Sequence, residues 1–119
     1  MISRISLLTL LYICMNSCTT NNAIDISNFD EVAWQTDKDG CDGQRIKLRN
    51  DLINAKDELK GLNGDQVISV LGKPNKMNLA DRNQKYFVYS ISCATDSADV
   101  STLSIRFSAV GLSYEVIVY

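Results

Sequence analysis

Cysteine carries the most versatile chemistry in this chain. Cys14, Cys18, Cys41 and Cys93 could serve as nucleophiles, metal ligands, disulfide partners or sites of covalent modification. The sequence contains no histidine, so the commonest general base and the commonest metal ligand are both missing. A cysteine nucleophile would have no imidazole to activate it, and a metal would depend on carboxylates. The stretch Asp37-Lys-Asp-Gly-Cys-Asp-Gly is the place to look for them. With Gly40 at the sixth position of an EF-hand loop, Asp37 and Asp39 fall at ligand positions, but Gln35 takes the first and Ile46 the twelfth, where a bidentate glutamate is required. No metal is therefore expected. The residues read better as an Asp- and Gly-rich turn in which Asp42 is the N-cap of the next helix. Asp, Glu, Lys, Tyr and Ser occur elsewhere in no recognisable catalytic spacing. No catalytic residue, cofactor or small-molecule substrate is expected.

Residues 1–17 have the layout of an export signal. Arg4 and the amino terminus supply a positive end, and residues 5–15 form an uncharged apolar run broken only by Ser6 and Thr9. The run is too short to span a bilayer and suits a signal h-region. It ends at Met15, Asn16, Ser17 and Cys18, followed by Thr-Thr-Asn-Asn. A small residue directly before a cysteine at this point resembles the lipobox of bacterial lipoproteins. In that class the cysteine receives a diacylglyceryl thioether, the signal is cut ahead of it, and the new amine is acylated. Cys14 is the poorer candidate because bulky Ile13 precedes it. The alternative is an ordinary cleaved signal with two incidental cysteines. Several acyl chains on Cys18 would hold the chain firmly on a membrane. Cys41 and Cys93 remain after export, and an even pair in an oxidising compartment is most simply a disulfide. Closing that loop contributes about 4 kcal/mol by the chain-entropy estimate.

The elements that must position these residues follow from periodicity. Residues 19–27 are small and polar and read as a tether. Phe29, Val32 and Ala33 have helical spacing over about one turn. Trp34 is either a recognition aromatic or a pin that holds a terminal segment on the core. Over residues 44–60, Leu48, Leu52, Ala55 and Leu59 make one apolar face, and Lys47, Arg49, Asp51, Lys56, Asp57 and Lys60 make a solvated one. Gly61 ends that main helix. A second helix follows with both ends written in: Asn63 as N-cap, Gln66 completing a capping box, and Leu62 with Val67 as a hydrophobic staple. Gly72 is placed for the left-handed C′ position, and Pro74 stops the helix. Val67, Val70 and Leu71 form its apolar face, which must dock on something because so short a helix is not stable alone.

Residues 72–85 read as an exposed loop carrying Lys73, Lys76, Arg82 and Lys85 against Asp81. With Trp34, these cations are the candidate partner surface. Three strands follow. Phe87, Tyr89, Ile91 and Cys93 share one face of the first. Leu103, Ile105 and Phe107 alternate with polar residues in the second. Gly111 marks a hairpin before a last strand at 114–119. The expected fold is α+β, two helices in a helix–turn–helix packed on a three-stranded antiparallel meander. A net charge of −2 indicates no nucleic-acid partner.

The run Gly61, Leu62, Asn63, Gln66, Val67, Leu71, Gly72 and Pro74 is similar to the G-M-T-x-x-Q-V-x-x-L-L-G-x-P signature of small outer-membrane lipoproteins of the SmpA/OmlA (BamE-like) family. Tyr86 to Tyr89 looks like that family's aromatic first strand, and Phe107 to Gly111 like its F-x-x-x-G hairpin. The same layout recurs in the β-lactamase inhibitor protein fold. The resemblance covers about residues 45–119, and only 61–74 is specific. Together with the export signal and the tether read from the residues, the resemblance implies a signal at 1–17, a lipidated flexible tether at 18–28 and a single domain at 29–119. It further implies a non-catalytic, lipid-anchored scaffold that binds an envelope protein, serving outer-membrane assembly or maintenance. An inhibitor of an extracytoplasmic hydrolase is the alternative. Thr19, rather than Asp, after Cys18 implies sorting to the outer membrane, with the domain in the periplasm or at the cell surface.

Overall fold

The structure, a computed structural model, describes residues 24–79, 84–93 and 100–119. Cys14, Cys18 and Arg82 lie outside the described residues. The chain is α+β. Helices α1 (Glu31–Thr36), α2 (Gln44–Lys47) and α3 (Arg49–Ala55), a 3-10 turn (Lys56–Leu59) and helix α4 (Gly64–Leu71) precede strands β1 (Lys76–Leu79), β2 (Lys85–Ser90), β3 (Thr102–Phe107) and β4 (Ser113–Val118). The strands pair antiparallel in chain order, as a four-stranded meander. Among the described residues no helix is long and apolar enough to cross a membrane.

The sheet has four strands where three were expected. The extra one, β1, falls in the stretch read as a loop, and all four of its residues are exposed. An edge strand with both faces wet has no apolar alternation to betray it. Its register is set by its partner, with Met77 opposite Phe87 and Leu79 opposite Lys85. The main helix is also not one piece. The Leu48 N–H is shared between the carbonyls of Gln44 (3.2 Å) and Arg45 (3.1 Å), a 3-10-type tightening that interrupts it, and its last turn is 3-10 as well. Its apolar face is placed as the spacing predicts, with Leu52, Ala55 and Leu59 buried and Leu48 partly so. The core also begins earlier than the expected domain boundary. Ile26, inside the expected tether, is buried, and Ile24 packs beside it.

Helix α4 begins as its sequence predicts. The Asn63 side chain accepts from the Gln66 N–H, and Gln66 reaches back to the Asn63 N–H, both at 2.9 Å. Val67, Val70 and Leu71 are buried against a sheet face made of Phe87, Tyr89, Leu103, Ile105 and Phe107. At the far end Gly72 does not take the expected left-handed C′ position: it is the C-cap itself, with φ 76° and ψ −174°, an extended region at positive φ that only glycine enters readily.

The turn that leads into α4 is fastened to β4 through Ser113. The Gly61 N–H donates to the Ser113 carbonyl, the Ser113 N–H donates to the Leu62 carbonyl, and the Leu62 N–H donates to the Ser113 hydroxyl oxygen. That hydroxyl donates in turn to the Leu59 carbonyl. Ser113 is inward-facing because β4 is bulged: Arg106 pairs with Glu115 and Phe107 with Ser113, so Tyr114 is the extra residue.

Replacing Asn63 with Ala removes one half of the capping box and should lower stability by about 1 kcal/mol. Urea unfolding of the two proteins measures this, and an unchanged midpoint would mean that the box does not hold the helix start.

Candidate functional site

The polar centre of the molecule lies where the loop after α1 meets the turn after α4. Asp37, just beyond α1, is almost fully buried. Its carboxylate accepts from the backbone N–H groups of Asp42, Gln44 and Arg45, each at 3.0 Å. Asp37 therefore caps α2 from seven residues upstream. Asp42 was expected as the N-cap, but Gly43 holds that position and makes no side-chain cap bond. With its oxygens committed to the backbone, Asp37 is a structural acceptor rather than a cation ligand.

Arg45 is 2% exposed. Its Nε donates to the Trp34 carbonyl (2.9 Å), and its Nη1 donates to the Ser90 carbonyl (2.9 Å) and to Asn75 Oδ1 (3.2 Å). Its guanidinium lies 4.5 Å from the centre of the Trp34 ring. Nη2 has no hydrogen-bond partner among the described residues. Asn75 ties this node together: its Oδ1 also accepts from the Ser90 N–H, and its Nδ2 donates to the Lys38 carbonyl. Sequence reasoning missed Arg45. The signal was present, since it stands three residues before Leu48 and seven before Leu52, on the apolar stripe where a charge is out of place.

Trp34 is fully buried, which overturns it as a recognition surface and leaves its role as a pin. Its Nε1 donates to the Leu71 carbonyl at 3.1 Å. Gln35 donates from Nε2 to the Ser69 and Val70 carbonyls, the Gly72 N–H donates to Ile68, and the Tyr89 hydroxyl donates to Gly72. The carbonyls that a helix C-terminus normally leaves open are thus met largely by side chains from α1 and β2. Burial pushes the Tyr89 hydroxyl well above its ordinary pKa, against the opposing charge of Arg45. Burial likewise lowers Arg45, which Asp37, Tyr89 and Asp39 offset in part.

Cys41 and Cys93, 52 positions apart in sequence, form a disulfide with Cα atoms 4.5 Å apart. It fastens the loop after α1 to the chain just past β2. Gly40, next to Cys41, lies so close to β2 that a Cβ there would meet the Ile91 carbonyl at 2.8 Å. Its φ of 72° excludes most side chains as well.

The expected cationic surface is not gathered in one place. Lys76 lies on edge strand β1. Lys85 is half-buried, with Nζ 5.4 Å and 5.3 Å from the Phe87 and Phe107 ring centres. Lys73 lines a cleft of about 490 Å³ between the loop after α1 and the turn after α4, together with Lys38, Asp39, Arg45, Asn75 and the apolar Leu71 and Pro74. On the outer sheet face, Arg106 stacks between Tyr86 (5.3 Å) and Tyr114 (5.5 Å) and donates from both Nε and Nη2 to Gln84. Compared with protein-family models, curated proteins and solved structures, the chain matches none.

Burial acts to raise the Asp37 pKa, but three N–H donors and the Arg45 charge outweigh it and hold the carboxyl below its ordinary 3.8. A folded value below the unfolded one means that the ionised form stabilises the fold above the unfolded pKa. That contribution is lost as pH falls through the folded pKa. Asp37→Asn should therefore be less stable than the wild type near neutral pH, and the gap should close below pH 3.8. Thermal midpoints from about pH 7 to about pH 2 report it. A gap that is constant with pH would show that ionisation of Asp37 does not matter.

Proposed function

We propose that the chain is a non-catalytic, lipid-anchored module of the cell envelope that binds a protein partner. The observation that carries this reading is the Cys41–Cys93 disulfide, because such bonds form and persist in oxidising compartments. It agrees with the export signal at residues 1–17 and with Cys18 as the acylated residue, and several acyl chains there give firm attachment. The capping box and the Ser113-fastened turn at 61–63 are consistent with the resemblance to small outer-membrane lipoproteins, and so with a role in outer-membrane assembly or maintenance. The partner is read as protein because the outer sheet face carries Tyr86, Arg106 and Tyr114 in one stacked group. Tyrosine and arginine are the residue types enriched at protein interfaces.

Crosslinking in cells followed by detergent extraction and purification tests both halves. The wild-type chain should fractionate with membranes and retain an envelope protein, while Cys18→Ala should be soluble. Membrane retention of Cys18→Ala would overturn lipidation at that residue. A wild-type chain recovered without any crosslinked protein would overturn the binding role. A retained hydrolase that loses activity in the complex would replace the scaffold role with inhibition.

A further inference from the structure

The cleft beside Arg45 has a charge balance that its own residues leave unmet. Arg45, Lys38 and Lys73 line it against Asp39, and buried Asp37 nearby offsets part of the Arg45 charge, so three cations face two carboxylates. Lys38 and Lys73 are exposed at its mouth, and Arg45 lies buried at its floor. The Arg45 Nε and Nη1 are held by the protein, while Nη2 is not engaged by any described residue. The neighbouring helix end does not supply what is missing. The Ser69, Val70 and Leu71 carbonyls already accept from Gln35 and Trp34. What the cleft lacks is an anion, and its walls include the apolar Leu71 and Pro74.

At about 490 Å³ the cleft is at the small end of ligand sites. It has room for a side chain or a chain end and none for a folded surface. We propose that it receives a carboxylate of the partner protein, from an acidic side chain or a carboxyl terminus, with Arg45 at the floor and Lys38 and Lys73 at the mouth. This rests on reading the chain as a protein-binding module. The buried guanidinium supplies one charge-assisted hydrogen bond through Nη2, and such bonds are about twice as strong as neutral ones. The two ammonium groups add attraction that salt screens, and the aliphatic part of the ligand lies along Leu71 and Pro74.

Trp34 is the only tryptophan. It is stacked on Arg45 and hydrogen-bonded to Leu71, so its fluorescence reports on the cleft without any label. The full chain in detergent is titrated with three short peptides: acetyl-Gly-Ala-Glu-amide, acetyl-Gly-Ala-Leu with a free terminal carboxylate, and acetyl-Gly-Ala-Gln-amide. One or both carboxylate peptides should give a saturable emission change, and the one that does identifies the source. The Gln amide should give none. Lys38→Ala/Lys73→Ala changes two exposed residues, so it should keep its fold and bind about fivefold or more weakly, the scale of two surface charges. An equal response to the Gln amide, no response to either carboxylate peptide, or unchanged affinity in the double variant would each overturn the proposal. So would a response to anionic phospholipid vesicles and to neither carboxylate peptide, which would assign the cleft to a phosphate surface. If the envelope protein crosslinked in cells is retained equally by the double variant, the carboxylate cleft fails and the binding role stands. If no protein is retained, the binding role fails while the peptide titration still reads the cleft.

Discussion

A guanidinium taken out of water has to be given acceptors, and Arg45 takes them from three parts of the chain. The carbonyl of Trp34 belongs to α1, the carbonyl of Ser90 ends β2, and Asn75 stands in the turn before β1. Burying this charge without such partners would cost several kcal/mol. Each bond therefore fixes where an element must lie. Asp37 is buried nearby and offers an opposite charge, while its own oxygens hold the start of α2.

The same region supports the end of α4. An eight-residue helix has little stability of its own, and its buried C-terminal carbonyls must be met or the packing fails. Trp34 and Gln35 from α1 and Tyr89 from β2 supply the donors. The disulfide and the close seating of Gly40 on β2 hold the loop after α1 where Asp37 and Arg45 need it. One set of contacts thus couples α1, α4 and the sheet, and it also builds the cleft.

Much of this was legible where the information is local. The Asn63–Gln66 box, the apolar face of α4 and the inward residues of β2 and β3 all follow from short-range spacing, and the structure places them accordingly. The Cys41–Cys93 pairing followed from redox compartment and parity. What escaped depends on partners distant in sequence. Strand β1 has no pattern of its own because both its faces are wet. The bulge at Tyr114 shifts β4 by one residue in a way that alternation cannot announce. Asp37 caps a helix across a loop, where the local rule pointed to Asp42. Trp34 was open between surface and core because a lone tryptophan carries no periodicity, and only its bond to Leu71, 37 residues away, decides it.

The cleft, the capped end of α4 and the docking of α1 all depend on one buried charge. Urea unfolding of Arg45→Met, which keeps most of the side-chain volume and removes the donors, tests that most directly. The Trp34 and Ser90 carbonyls would each lose a donor, and a buried orphan acceptor costs roughly 1–3 kcal/mol, so the predicted loss is at least about 2 kcal/mol. Methionine packed with equal or greater stability, as happens when some buried ion pairs are replaced by apolar residues, would contradict the claim that Arg45 holds these elements together.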